Sequence, residues 1–319
     1  MKVFVSGASG FIGRSVVSEL SRRGHGVIGM VRNNDEANLV KSSGGKPVIG
    51  DLLQGGEWCN AIKDVDKVIS LTKPFHDEEN IPLDRMEEYG QRHAEEVTNL
   101  IKGAAEGTAR GIVITYDTLC FGDRKGKWVE ADASAVDPVG YCRPLTGSFD
   151  TVESVLEDSG LAAVTVFPAM VYGNGGWFKR LVNDIQSGKA RIVEPGDNSL
   201  NLVHVDDVAA LYSTILEKIN ASDVYIMSDS RPVSQRNFMD LLSAMLDKPT
   251  PQMVDRKTYE KLFGLMAAET MSCNTKTSAD KLINTLQYKF MRKSYEAGIP
   301  ATLKSMGIEP MKEEFRRVA

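Results

Sequence analysis

The chain has 319 residues and a mass of 35.0 kDa, with 42% hydrophobic residues, 25% charged residues and a formal net charge of −5. This composition supplies a full hydrophobic core and excludes an intrinsically disordered chain. The acidic balance, with a sequence pI near 5.6, argues against a general nucleic-acid-binding protein, which would carry a clustered basic excess.

Strands and helices alternate along the first 170 residues. Strands are predicted at 2–6, 27–31, 47–49, 67–71, 111–115 and 161–167. The first strand leads through a glycine-rich turn into a helix whose buried stripe is Ile12, Val16, Val17 and Leu20, and further helices are predicted at 90–105 and 151–157. This order predicts an α/β fold, with a Rossmann-type, doubly wound parallel sheet that carries helices on both faces.

Past residue 168 the alternation loosens. We predict a helix around 178–185, a second around 208–215 that Asp206 and Asp207 cap, a strand at 224–227, and a polar helical tail from about residue 235. The expected division is a dinucleotide-binding domain of residues 1–170, which also receives 198–228. Residues 171–197 and 229–319 would form a smaller, mostly helical substrate lobe.

Cysteine usage and hydropathy bear on the compartment. Cys59, Cys120, Cys142 and Cys273 are scattered and form no CxxC pair, and no apolar run approaches the roughly 20 residues of a membrane span. The first residues enter a predicted strand at once, which leaves no room for a signal peptide. We therefore expect a reduced, cytoplasmic protein with no metal site and no membrane partner.

The glycine turn after the first strand has the spacing of a dinucleotide-binding loop. Gly7 permits the tight turn, Gly10 lets the backbone approach a pyrophosphate, and Gly13 lets the helix pack closely on its strand. The N-terminus of the helix then offers unpaired N–H groups to the phosphates. The predicted contacts of this turn with the cofactor are Gly7, Ser9, Gly10, Phe11, Ile12 and Gly13.

The end of the second strand bears on which dinucleotide binds. Proteins that prefer NAD usually place a carboxylate there for the ribose 2′-hydroxyl, whereas this chain has Val31 and then Arg32. A guanidinium suits a 2′-phosphate, so NADP is favoured over NAD. The alternative is that Arg32 is an ordinary solvated charge, and the same choice applies to Arg14. Four further contacts are predicted at strand ends or just after them: Asp51, Leu52, Leu71 and Pro168.

Two later segments carry a family resemblance. Residues 167–173 (FPAMVYG) are similar to an "RPxxVYG" segment, and residues 203–209 (VHVDDVA) to "VHVDDLA". With the glycine turn, they make the chain resemble the extended short-chain dehydrogenase/reductase superfamily, in its NAD(P)-dependent epimerase/dehydratase branch, over nearly its whole length. The resemblance implies a two-lobed Rossmann fold, a nicotinamide cofactor and a homodimer through the long central helices.

The same resemblance exposes a degenerate catalytic motif. The family uses a Tyr-x-x-x-Lys pair to move a proton, but one register of residues 145–153 places Leu145 and Phe149 on those positions. A second register supplies Tyr141 but puts Leu145 in the place of the lysine. Aligning residues 120–122 with the family's "VYG" places Asp117 on the usual Ser/Thr position. The resemblance therefore implies a replaced catalytic set.

Candidate replacements lie around the expected nicotinamide site. Asp117 is the best candidate general base, Tyr141 or Tyr116 is a candidate hydroxyl donor, and His93 is a candidate orienting group or proton carrier because histidine titrates near neutrality. Each has a structural alternative: a turn cap, a packed ring or a buried histidine. Three further residues complete the neighbourhood: Thr115, Lys73 and Cys142, the last a weak candidate nucleophile.

The expected function is hydride transfer to or from a carbonyl of a small molecule, with a non-standard proton-transfer residue. Phe167, Asn201 and Leu202 stand where sugar-nucleotide members commonly carry arginines, which argues against a sugar nucleotide. The alternatives are a non-redox epimerase, lyase or cyclase with a retained cofactor, or a catalytically inactive dinucleotide-binding regulator. A pocket lined by Met170, Tyr172, Trp177 and Phe178 is possible, with core packing as the alternative. The acidic run at 76–79 and the basic residues Lys312, Arg316 and Arg317 are interpreted as solvated surface.

Overall fold

A computed structural model describes residues 1–73, 82–133, 137–218 and 220–311. The strands are β1 (Lys2–Ser6), β2 (Gly26–Val31), β3 (Lys46–Ile49), β4 (Lys67–Ser70), β5 (Gly111–Thr115), β6 (Trp128–Val129), β7 (Ala162–Pro168), β8 (Met170–Tyr172), β9 (Arg191–Val193), β10 (Ser199–Leu200), β11 (Leu202–His204), β12 (Asp223–Met227), β13 (Val233–Ser234), β14 (Gln252–Val254) and β15 (Lys276–Thr277).

The helices are α1 (Phe11–Arg22), α2 (Asn34–Ser42), α3 (Glu57–Ala61), α4 (Met86–Ala105), α5 (Phe149–Ser159), α6 (Gly176–Gln186), α7 (Val205–Lys218), α8 (Gln235–Met245), α9 (Arg256–Phe263), α10 (Leu265–Ser272), α11 (Asp280–Leu286) and α12 (Tyr295–Ser305). Short 3₁₀ helices cover Ile62–Asp64, Leu83–Arg85, Thr118–Phe121 and Gly140–Gly147. Among the described residues, none of these helices combines the length and the apolar character that a membrane crossing requires.

A seven-stranded parallel sheet forms the centre of the molecule, in the order β12-β7-β5-β4-β1-β2-β3. Val3 pairs with Val27 of β2 on one side and with Lys67 of β4 on the other. The middle strands are buried on both faces, as continuous β-branched runs in a parallel sheet require. The predicted Rossmann-type α/β fold is confirmed.

Two hydrophobic layers cover the sheet. On one face α1 and α7 pack against each other and against β1, and on the other face α4 lies beside α5 over β4 and β5. Val16 and Val17 of α1 and Val97 and Ile101 of α4 are fully buried in these layers. The layers fix the carboxyl ends of all seven strands at one edge, where α/β proteins bind their ligands.

The remaining strands of the described chain form four two-stranded sheets outside the main sheet. The pairs are β8 with β11, β9 with β14, β6 with β15, and β10 with β13, of which the last is antiparallel. The predicted helical tail is therefore interrupted by β14 and β15, because both strands pair with partners far upstream, which local periodicity does not reveal.

The predicted capping role of Asp206 and Asp207 is wrong. Both residues lie inside α7, and His204 Nδ1 accepts the Asp206 N–H at 3.1 Å. The fully buried Asp207 carboxylate accepts bonds from the Tyr288 hydroxyl at 2.9 Å and from the backbone N–H groups of residues 291 and 292. It anchors the C-terminal chain on α7, a contact between residues more than 80 positions apart.

Candidate active site

The glycine turn joins β1 to α1 in a conformation that depends on two of its glycines. Gly7 has a φ of +67°, and a Cβ there would lie 2.8 Å from the Leu71 carbonyl oxygen. A Cβ on Gly13 would lie only 2.1 Å from the Gly7 carbonyl oxygen, so α1 can approach the turn only because residue 13 has no side chain. The turn is closed by a hydrogen bond from Gly10 N to Gly7 O of 3.1 Å.

The start of α1 has the properties of a pyrophosphate cradle. A Cβ on Gly10 would meet only the Gly7 carbonyl oxygen, at 3.3 Å, and would otherwise fill the space beyond the turn. No side chain caps the helix and its first turn holds no acidic residue, so the N–H groups of residues 11–13 lack helical partners. Arg14 in the same turn has a buried Nε that makes no hydrogen bond within the described residues. These features fit a dianionic group at this position.

Phe11 connects this cradle to the second half of the molecule. Its ring lies against a turn of three glycines, because a Cβ on Gly173, Gly175 or Gly176 would lie within 2.5–3.0 Å of Phe11 ring atoms. The neighbouring Ile12 is half-buried against the core. Sequence reasoning did not place Gly175 and Gly176 beside the glycine turn, although two glycines so soon after the VYG segment were a visible signal.

Arg32, just after β2, is held by a carboxylate that sequence reasoning also missed. Glu36 Oε2 accepts the Arg32 backbone N–H at 2.9 Å, and Glu36 Oε1 lies 3.0 Å from Arg32 Nη2. The two residues are four apart, the spacing at which a side chain in the first turn of a helix reaches back. An acidic group therefore does stand near the end of β2, on α2 rather than on the strand.

The other predicted cofactor residues lie along the carboxyl edge of the sheet or just beyond it. Asp51 Oδ1 accepts the Leu53 N–H at 2.9 Å, which is a turn contact, and the buried Leu52 accepts the Asn99 side-chain amide through its carbonyl. Leu71 O is the nearest atom to a Cβ placed on Gly7, and Pro168 ends β7 beside Met227 of β12.

Thr115 and Tyr116, at the end of β5, are both engaged by distant residues. Thr115 Oγ1 lies 2.6 Å from the buried Tyr212 hydroxyl on α7. The Tyr116 ring packs against Phe149 and Phe167, with centroids 4.6 and 5.7 Å away. Burial raises the pKa of Tyr116, which makes its hydroxyl a poor proton donor near neutrality.

Asp117 follows Tyr116 just past the end of β5, and its side chain is half-buried. Its Oδ1 accepts the Leu119 N–H at 2.8 Å, so it does cap the 3₁₀ turn at 118–121. Burial raises its pKa to about 6, against the lowering effects of the Leu119 N–H, the positive charge of Lys73 and the Thr118 hydroxyl. Although solvent reaches the Lys73 side chain, the protein atoms around it partly desolvate the ammonium and lower its pKa. Capping a turn and exchanging a proton are compatible roles for one carboxyl.

The structure brings His93 to this cluster but places Tyr141 in a different contact group. His93 is buried on α4, with its ring centroid 6.1 Å from that of Tyr116. Tyr141 packs with Met86, Tyr89 and Met266. The 3₁₀ helix that carries it is clamped to α10, because the buried Glu269 accepts the Gly140 N–H at 3.0 Å and binds the Arg143 guanidinium.

The residues that one register places on the Tyr-x-x-x-Lys positions, Leu145 and Phe149, are both apolar. Leu145 is buried in the 3₁₀ helix, and Phe149 begins α5 with its ring on Tyr116. A hydrogen bond with the Cys120 thiol, together with burial, raises the pKa of Cys142, which disfavours a thiolate nucleophile.

The residues considered for a substrate pocket belong largely to the core. Tyr172 and Phe178 are fully buried in one cluster with β11 and α8, and the Trp177 indole donates to the Val171 carbonyl at 2.8 Å.

The segments 76–79 and 312–319, which contain the charged residues interpreted as solvated surface, lie outside the described residues.

Known proteins of similar sequence or fold include reductases. The tetraketide alpha-pyrone reductase 1 of Arabidopsis thaliana is 27% identical over 290 residues, covering 82% of this chain and 85% of that protein. The 2-alkyl-3-oxoalkanoate reductase of Stenotrophomonas maltophilia is 24% identical over 265 residues, covering 78% and 77%. The human epimerase family protein SDR39U1, solved with NADPH, superposes with a TM-score of 0.77 at 16% identity, over 95% of this chain and 99% of that one, which shows a shared fold.

Both sequence relatives are called reductases. The model of the NAD-dependent epimerase/dehydratase family matches residues 3–227. This range includes the glycine turn, the residues at the end of β5, and the segments 167–173 and 203–209. The chain therefore belongs to the NAD-dependent epimerase/dehydratase family.

Proposed function

We propose that this protein is an NADP(H)-dependent oxidoreductase that moves hydride between the cofactor and a carbonyl carbon of a small substrate, with Asp117 exchanging the proton. The observation that carries the proposal is a half-buried carboxyl with a pKa of about 6, influenced by the charge of Lys73, at the position where the family resemblance expects Ser or Thr. A group that titrates near the working pH is suited to general acid–base catalysis.

The cofactor side of the proposal rests on the cradle. The N–H groups of residues 11–13 and the open face of Gly10 would hold the pyrophosphate, and the Arg32 guanidinium would contact a 2′-phosphate. Asp51 and Leu52 would border the adenine, and Leu71 and Pro168 would line the path toward the nicotinamide. When bound, the dinucleotide supplies the hydride in reduction and accepts it in oxidation.

The proton is the part of the reaction assigned to this chain's own residues. In reduction the carbonyl carbon gains the hydride, and the neutral Asp117 carboxyl gives its proton to the carbonyl oxygen, leaving an alcohol and a carboxylate that solvent reprotonates. Oxidation runs the same transfers in reverse. The positive charge of Lys73 stabilises the carboxylate form, which keeps the pKa of Asp117 from rising further.

The names of the relatives favour carbonyl reduction. Both sequence relatives described above are called reductases, and one of those names specifies a 3-oxoalkanoate. The absence of arginines at Phe167, Asn201 and Leu202 favours a substrate other than a sugar nucleotide, and Asn201 is already occupied by hydrogen bonds to the backbone of residues 275 and 277.

The first experiment identifies any nucleotide released when freshly purified protein is denatured, followed by titration with NADPH and NADH. Little retained nucleotide, with NADPH binding better than NADH, supports a dissociable reductase. Tightly retained NAD⁺ would contradict the proposal and favour an epimerase that regenerates its cofactor. Binding of neither dinucleotide would refute both.

The second experiment compares turnover of a panel of small ketones and aldehydes by variants at three candidate residues: Asp117→Asn, Tyr141→Phe and His93→Ala. We expect Asp117→Asn to lower turnover by roughly 100-fold with NADPH affinity unchanged, because proton transfer contributes on that scale. Asp123→Asn is the matched control, since Asp123 Oδ1 also accepts the N–H two residues ahead, from Lys125 at 3.0 Å. Wild-type activity in all three variants would show that the proton donor lies elsewhere.

A further inference from the structure

The Glu36 carboxylate accepts several hydrogen bonds near the position expected for the adenosine ribose of a dinucleotide. Its carboxylate accepts the Arg32 backbone N–H at 2.9 Å and the guanidinium at 3.0 Å through Nη2 and 3.3 Å through Nε. The Glu36 side chain is only 18% exposed, so it is held against the protein, while that of Arg32 is 45% exposed.

The same carboxylate also reaches the glycine turn. Burial raises the pKa of Glu36, but the Arg32 hydrogen bonds, the Arg32 charge and a hydrogen bond with the Ser9 hydroxyl outweigh it and lower the pKa below its ordinary value. Ser9 lies between Gly7 and Gly10 in the predicted pyrophosphate cradle, and Arg32 directly follows β2. In a Rossmann fold the ribose that bears the 2′-substituent lies between those two elements.

We propose that Glu36 sets the choice between the two dinucleotides, by competing with a 2′-phosphate for Arg32 and by accepting the ribose 2′-hydroxyl when that phosphate is absent. This inference rests on the proposed function only in requiring that the glycine turn binds a dinucleotide. It assigns a specificity-determining role to a residue of α2 that lies outside the glycine motif and outside the strand end.

The charges explain the direction of the effect. A 2′-phosphate carries a charge between about −1.5 and −2 at neutral pH. It would lie close to the Glu36 carboxylate, and both groups would bind the Arg32 guanidinium. Like charges at close range near a protein surface repel strongly, so the phosphate has to displace Glu36 from Arg32. A ribose hydroxyl carries no charge and can donate to Glu36 without breaking the Arg32 pair. The preference for NADP is therefore smaller than Arg32 alone would produce.

The test uses two fragments that differ only in the group at issue, adenosine 2′,5′-bisphosphate and adenosine 5′-monophosphate, with binding measured by calorimetry. Glu36→Gln removes the charge and keeps an oxygen that accepts the Arg32 N–H, so α2 is expected to keep its start. We expect this variant to bind the bisphosphate about tenfold more tightly and the monophosphate within about twofold of wild type. NADPH and NADH should follow the same pattern.

Asp35→Asn is the matched control, because Asp35 is an exposed neighbour in the same helical turn and loses the same charge. We expect the ratio of the two fragment affinities to change less than about twofold in this variant, which excludes a general electrostatic effect. Glu36→Asp, which keeps the charge on a shorter side chain, provides a second variant should Glu36→Gln not fold, and it should not acquire the tighter bisphosphate binding.

Two outcomes would overturn the inference. If Glu36→Gln leaves the affinity ratio unchanged, or weakens both fragments alike, Glu36 only supports α2. If Asp35→Asn reproduces the effect, the charge acts from a distance and not through Arg32. Failure of the shared premise, that the glycine turn binds a dinucleotide, is recognised separately, because the wild-type protein would then bind neither NADPH nor NADH.

Discussion

The glycine turn and the end of β5 lie at the same edge of one parallel sheet, but they are built in different ways. The turn is determined by backbone geometry within a few residues, apart from the approach of Leu71 O to Gly7. The end of β5 is determined by side chains that come from far along the chain, since Thr115 contacts Tyr212 and Tyr116 contacts Phe149. A short motif can specify the first site, whereas the second is specified only by the completed fold.

The largest expected effect comes from the turn. Gly13→Ala would place a Cβ 2.1 Å from a backbone oxygen that cannot move without opening the turn, so we expect a loss of about 2–4 kcal/mol in the free energy of unfolding and loss of NADPH binding. Urea unfolding and calorimetric titration measure the two effects.

Gly26→Ala is the control for that change, because its Cβ would have no neighbour closer than 4.0 Å, at the opposite edge of the sheet. It should bind NADPH as the wild type does. Normal NADPH binding by Gly13→Ala would show that the turn is not the cradle.

A smaller effect is expected where β5 meets α7. Thr115→Val leaves the buried Tyr212 hydroxyl without its 2.6 Å partner, and we expect it to cost about 1–2 kcal/mol of stability while turnover per folded molecule is retained. The double change with Tyr212→Phe should cost less than the sum of the single changes, because no hydroxyl is then left unpaired. If Thr115→Val instead abolishes turnover without a loss of stability, Thr115 contacts the substrate.

The smallest effect is the pH dependence of stability at Asp117. The pKa of Asp117 in the folded protein is about 6, above the ordinary aspartate value of about 3.9. The favourable contribution of Asp117 to the free energy of unfolding is therefore present below about pH 4 and is lost as the pH rises through about 6. After allowance for solvent screening, we expect Asp117→Asn to be about 1 kcal/mol more stable than wild type at pH 8 and equal to it at pH 4. Chemical denaturation at both pH values measures the difference. A constant difference between the two pH values would contradict the raised pKa.

Much of the fold was predictable from the sequence because its signals are local. The strands at 2–6 and 111–115 are where the sequence predicts them, and the other main-sheet strands start and end within one residue of their predicted bounds. Continuous β-branched runs are typical of parallel strands that are buried on both faces. The tail was not predictable in the same way, because β14 and β15 are short and are stabilised by pairing with β9 and β6.

The candidate site was predictable in its residue types but not in its contacts. The sequence placed Asp117 at a catalytic position, but only the fold shows that burial raises its pKa while Lys73 opposes the change. It indicated Arg32 but not Glu36, because this carboxylate lies in the first turn of α2 and reaches back to the end of the strand. It grouped Tyr141 with His93, whereas the clamp between Glu269 and Arg143 holds the 3₁₀ helix of Tyr141 against α10.

In the proposed reaction Asp117 exchanges the proton while hydride moves between the nicotinamide and the carbonyl carbon. The most direct test is the pH dependence of a single-turnover reduction, followed by NADPH absorbance with the best carbonyl substrate of the panel, in wild type and in Asp117→Asn. We expect a wild-type rate that falls as the pH rises through about 6, and a slow variant whose rate lacks this fall. A wild-type rate that stays constant to about pH 8 and falls only near pH 9–10 would contradict it, because the proton would then come from an amine or a phenol.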